Sequence, residues 1–229
     1  MNKKHLQFSF AYAIVFILVL VAQINKWLLL KEITTPLITV VLLIFISSAT
    51  SLKGRFHQRL FTGLVFALTG DTLILMKNHD PSYFLYGLIA FLICYIFYIS
   101  AFYLDFRSAP ELDKKGARLA IISCLIACTS FYFLLRPHLG PYRLPVIINA
   151  FIMALLIMMA AFRNERVNKI SFNLILAGAV LLTLSAASLS YAYFVSHFSH
   201  AEILIVSTYM AGQYLIIRGG AERKLLFNK

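Results

Sequence analysis

A chain of 229 residues with 61% hydrophobic and 13% charged residues departs from soluble globular domains, which carry about a quarter charged and roughly half apolar residues. The apolar excess recurs along the whole length in runs able to cross a bilayer, each needing ~20 residues, so no room remains for a separate soluble domain. The net charge of +12 does not indicate a nucleic-acid partner, because the basic residues sit in short loops where orientation in a membrane accounts for them.

The first apolar run, 8–24, follows Lys3, Lys4 and His5. It has the outline of a signal peptide but lacks a small-residue cleavage site and leads toward another apolar run, so it reads as the first transmembrane helix. Further spans are expected at 33–49, 60–76, 83–104, 118–135, 144–162, 171–194 and 202–217. Charged or turn-forming stretches separate them, among them Lys53-Gly54-Arg55, Asn78-His79-Asp80-Pro81 and Arg136-Pro137-His138. The expected architecture is all-α: a polytopic membrane helix bundle of about eight transmembrane helices, one transmembrane domain over 1–229, in the cell (inner) membrane.

Alternating the loops places 16 Lys and Arg on one side and 5 on the other. Basic residues are retained in the cytoplasm, so both termini are expected there. Cys94, Cys124 and Cys128 all fall within spans and form no CxxC pair, which indicates neither a disulfide framework nor a zinc site.

An ionisable group inside a span costs roughly 2.5–3.5 kcal/mol on insertion scales and usually faces a cavity or a partner. Eight of the nine acids lie in loops or at helix ends; Asp71, on the third span, is the exception. Thr69 and Thr72 are placed to hydrogen-bond its carboxylate, and Gly70 allows a neighbouring helix or ligand to approach closely. With no cation in the same span, desolvation favours the proton-carrying form, which suits a proton donor. The alternative is a packing role between helices.

Other polar residues in the spans carry less. Phe91, Tyr95, Tyr98 and Phe102 share a face of the fourth span, and such a stripe serves packing more often than substrate. Asn149, Ser185, Ser188, Tyr209 and Gln213 point inward on a helical register, where interhelical hydrogen bonds account for them. His197 and His200 form an HxxH beside Glu202, but in a short loop they read as solvated groups, and no metal is expected.

Several segments carry a resemblance: Gly70-Asp71-Thr72-Leu73-Ile74-Leu75, Gly87 through Phe91 and Tyr98 through Phe102, Pro145-Val146 with the methionine-rich sixth span, Gly178 through Ser185, and Tyr209 through Leu215. Kept in this order over most of the chain, they resemble the YhhN family, whose members include lysoplasmalogenases, multi-helix membrane hydrolases. The resemblance implies hydrolysis of the vinyl-ether bond of lysoplasmalogen or a related lysolipid, giving a fatty aldehyde and a glycerophospho-base without a cofactor. It implies Asp71 as the acid. Gly70, Thr72, Tyr95, Tyr98, Asn149, Ser185, Tyr209 and Gln213 are candidates for the substrate cavity. The family pattern has a second acid after the position of Ser185, where this chain has Ala186. It also has a histidine at Tyr95, a basic residue at Thr35 and a tyrosine at Asn149. A neutral phenol is a poor general base near neutral pH, so the two-acid mechanism does not carry over. The competing reading is a lipid-binding or transport protein on the same scaffold.

Overall fold

The computed structural model describes residues 3–76, 79, 80, 82–109, 112, 114–196 and 198–226. Among these run eight α-helices: α1 (Lys3–Ile24), α2 (Leu28–Thr50), α3 (Arg55–Leu75), α4 (Ser82–Ser108), α5 (Lys114–Leu135), α6 (Arg143–Ala161), α7 (Lys169–Phe194) and α8 (Ala201–Ala221). Every expected span lies inside one of these helices or overshoots it by a single residue. The described residues contain no β-strand, only an isolated bridge between Val167 and Leu225.

Six of the helices are long and apolar enough to cross a membrane: α1, α2, α4, α5, α6 and α7. Helices α3 and α8 have the length, 21 residues each, or about 31 Å at 1.5 Å per residue. They are more polar because each turns polar and small residues inward: Gly63, Gly70 and Asp71 on α3, and Thr208, Gly212 and Gln213 on α8. A helix enclosed by others need not be apolar all round. Large apolar side chains lie open on the lipid-ready faces, among them Phe10, Leu29 and Leu119. The chain is a multi-pass membrane protein.

The residues fall into two compact units, Met1–Tyr98 and Ile99–Lys229. In the first, Phe8 of α1 packs on Phe45 of α2, their ring centroids 5.6 Å apart. Helices α3 and α4 approach closely where α3 lacks side chains. A Cβ on Gly63 would meet the Tyr98 ring at 2.6 Å, and one on Gly70 the Phe91 ring at 3.0 Å. On α4, a Cβ on Gly87 would meet Ile74 at 2.7 Å. Small residues at a helix crossing let backbones approach where the hydrophobic effect between spans is weak.

The second unit uses the same device between α7 and α8. A Cβ on Gly178 would lie 2.8 Å from the Gly212 carbonyl oxygen and 2.9 Å from the Ile216 backbone nitrogen. Backbone cannot move aside as a side chain can, so Gly178→Ala is expected to destabilise the protein by about 1–3 kcal/mol, the usual cost of overpacking. Thermal unfolding in detergent measures this. A variant that melts with the wild type would show that the two helices can separate without loss.

Candidate functional site

Asp71 sits four residues before the end of α3 and is 4% exposed. Its carboxylate oxygen Oδ2 accepts a hydrogen bond of 2.6 Å from the hydroxyl of Thr39 on α2, a residue 1% exposed. Within α2, Pro36 lacks the N–H that would bond a carbonyl one turn back, which loosens the helix just before Thr39. On the α4 side, Gly70 brings α3 against Phe91, and Phe91 stacks with Tyr95 at 6.5 Å. Tyr95 and Tyr98 are buried on the same helix as Phe91.

The expected partners of Asp71 do not supply this bond. Thr69 donates to the Val65 carbonyl and Thr72 to the Leu68 carbonyl, each four residues earlier, and both are exposed. Threonine in a helix commonly bonds its own preceding turn, and here that option removes both hydroxyls from the acid. Thr39 carried no signal in the sequence, being one more hydroxyl in an apolar span. Of the predicted residues, Gly70, Asp71, Tyr95 and Tyr98 come together in the first unit, while Thr72 faces outward. An open groove of about 570 Å³ on that unit, lined by Leu43, Ile44, Ser47, Ser48 and Phe61, is a different place. Phe61 and Asp71 are ten residues apart on α3, about 15 Å along its axis.

Asn149, Ser185, Tyr209 and Gln213 belong to the second unit. The Ser185 hydroxyl reaches across to the Ile205 carbonyl of α8 at 2.7 Å, an interhelical hydrogen bond. Gln213 and Ser188 are buried, and Asn149, Ala186 and Tyr209 are half-buried. His197 lies outside the described residues, whereas His200 and Glu202 are exposed at the start of α8.

A second buried acid went unrecognised. Asp105 lies in the last turn of α4, as its position predicts, yet it is 0% exposed. Its Oδ2 accepts from Arg163 Nε at 2.8 Å and its Oδ1 from Arg223 Nε at 2.7 Å. Arg163 also donates to the hydroxyl of Ser171 at 2.8 Å and lies over the Phe102 ring. Burial pulls the Arg163 guanidinium below its usual range, and Asp105 opposes that shift. Arg166, 1% exposed, donates to the carbonyls of Ala109, Leu112, Phe162 and Asn164. It thereby covers chain ends just past α4 and α6, where helix carbonyls otherwise lack partners. The segment holding Arg223 is fixed by backbone bonds from Asn168 to Lys224 and from Leu226 to Arg166, both 3.0 Å. Read along the sequence, these arginines are solvated loop charges; folding takes them out of water. Asp80, in contrast, is held below the ordinary carboxylate range by the backbone N–H and hydroxyl of Ser82, in the open.

Residues 29–220 match the sequence profile of the YhhN family. The chain belongs to the YhhN family. Its similarity extends to proteins named lysoplasmalogenases. It is 28% identical over 210 residues to lysoplasmalogenase TMEM86B of Sus scrofa, covering 91% of this chain and 82% of that one. Against lysoplasmalogenase TMEM86A of Homo sapiens it is 26% identical over 174 residues, 72% of this chain and 66% of the relative. Against lysoplasmalogenase TMEM86A of Bos taurus the figure is 25% over 169 residues, with the same coverage. No solved structure matches. Both the Asp71 site and the Asp105 cluster up to Arg163 fall inside the part of this YhhN protein that the profile covers.

Proposed function

We propose that this chain is a hydrolase of the cell (inner) membrane that cleaves the vinyl-ether bond of lysoplasmalogen or a related lysolipid, with Asp71 as the acid. The observation that carries this reading is a carboxyl group buried in α3 and held by a donor from α2. The relatives' names support the substrate class. A buried carboxyl is readily kept neutral, and a neutral acid can deliver a proton to the vinyl carbon remote from the ether oxygen. The new C–H bond takes the electrons of the double bond and leaves an oxocarbenium ion. Water adds to that ion, and the Asp71 carboxylate takes back a proton. The resulting hemiacetal parts into a fatty aldehyde and a glycerophospho-alcohol. One carboxyl that gives and then recovers a proton closes this cycle, so Ala186 at the position of a second acid does not break it.

The test offers purified protein two lysolipids that differ only in the double bond beside the ether oxygen. Aldehyde is expected from the vinyl ether and not from the saturated ether, which cannot form the oxocarbenium ion by protonation. No aldehyde from either would refute the proposal. Ala186 and Tyr95, standing where the family has an acid and a histidine, favour a second reading as a lipid-binding or transport protein. That reading expects saturable binding or flux of both lipids alike, with no product.

A further inference from the structure

In the transmembrane helices of this chain, threonine hydroxyls mostly turn back onto their own helix. Thr34 donates to Leu30, Thr50 to Ile46, Thr62 to Gln58, Thr183 to Ala179 and Thr208 to Leu204, as Thr69 and Thr72 also do toward their own preceding turns. Each of these bonds spans four residues and stays within one helix. Thr39 departs from the pattern. Its hydroxyl leaves α2 and donates to Asp71 Oδ2 on α3 at 2.6 Å, a bond across 32 residues between two side chains that are 1% and 4% exposed. Little solvent reaches this pair to compete for the bond, so the local dielectric is low and the hydrogen bond correspondingly firm.

We infer that Thr39 is a positioning residue for Asp71, one that fixes which carboxyl oxygen delivers the proton. The inference rests on the hydrolase reading above. The carbonyl-type oxygen of a neutral carboxyl is its better acceptor, so the donor on Oδ2 favours that oxygen as the carbonyl and Oδ1 as the one that carries the proton. Once the proton has gone to the substrate, the same bond becomes charge-assisted and stronger. Thr39 therefore holds the acid in one orientation before transfer and stabilises the carboxylate after it. Both effects act on the chemical step and not on lipid binding. In this role the hydroxyl keeps its proton and acts only through Asp71.

Thr39→Val keeps the shape of the side chain and removes the donor; Thr39→Ser restores the donor. In the aldehyde assay, Thr39→Val is expected to lower kcat roughly ten- to a hundredfold, the effect of losing one hydrogen bond to a charged group. KM should stay within about twofold, and Thr39→Ser should recover most of the loss. A KM that rises while kcat holds, or a serine variant as slow as the valine, overturns the inference. An independent readout is the infrared carboxyl band of Asp71, identified as the band lost in Asp71→Asn. It should shift in Thr39→Val and return toward its place in Thr39→Ser. If the wild type releases no aldehyde, the hydrolase reading alone falls, and the infrared band still decides whether Thr39 orients the acid; an unmoved band overturns it.

Discussion

Asp71→Asn is expected to cut aldehyde release at least a hundredfold while leaving the protein folded. General acid catalysis contributes about 10²–10⁴-fold, and in this site no other carboxylate stands beside Asp71 in the same helix to replace it. Asparagine has nearly the same shape and keeps an oxygen that can accept from Thr39, so the contact between α2 and α3 survives. The two effects therefore separate: product formation disappears while the melting temperature in detergent stays near that of the wild type. Asp71→Glu retains the acid but pushes it a methylene further in a region packed tightly enough for Phe91 to lie against Gly70, and it should be intermediate. Undiminished aldehyde release by Asp71→Asn would remove Asp71 from the chemistry.

The largest effect on stability is expected at the other buried acid. Asp105→Ala leaves Arg163, itself 0% exposed, without the carboxylate that balances its charge. Breaking a buried ion pair by removing one partner costs about 3–5 kcal/mol, which denaturation in detergent resolves easily. Arg163→Lys should also be costly, because the compact ammonium does not reproduce the spread donors with which the planar guanidinium reaches Asp105 and Ser171 from separate nitrogens. Glu222→Gln is the contrast. It breaks the ion pair with Arg218 one turn away on a more open surface, where such pairs contribute about 0.2–0.5 kcal/mol. Equal losses from Asp105→Ala and Glu222→Gln would mean that the Asp105 cluster is solvated in the membrane protein.

The apolar runs and their charged boundaries made all eight helices legible, six of them apolar enough to cross a membrane. Asp71 was legible for the same reason, as the one acid in the wrong solvent. Its partner was not. Thr39 differs in nothing local from Thr34 or Thr50; only the fold decides that one hydroxyl meets a carboxylate while the others meet their own carbonyls. The opposite error befell Asp105, Arg163 and Arg223. Position along the chain marks them correctly as residues beside helix ends, but burial there depends on which distant segments converge, and the 118 residues between Asp105 and Arg223 hide that. Such charges also entered the count from which an orientation is expected, although Arg163, Arg166 and Arg223 have partners in the fold. Subtracting Arg163, Arg166 and Arg223 from the 16 still leaves 13 against 5.

That same separation sets a clock. Arg223 is made 118 residues after Asp105, a delay of roughly ten seconds at ordinary rates of synthesis. For that interval the acid at the end of α4 holds at most one of its two cations, Arg163 having emerged first. The bond between Thr39 and Asp71 spans only 32 residues and is complete long before. The proposed acid and its donor are thus both synthesised early, whereas the ion cluster of the second unit is complete only once Arg223 has been made.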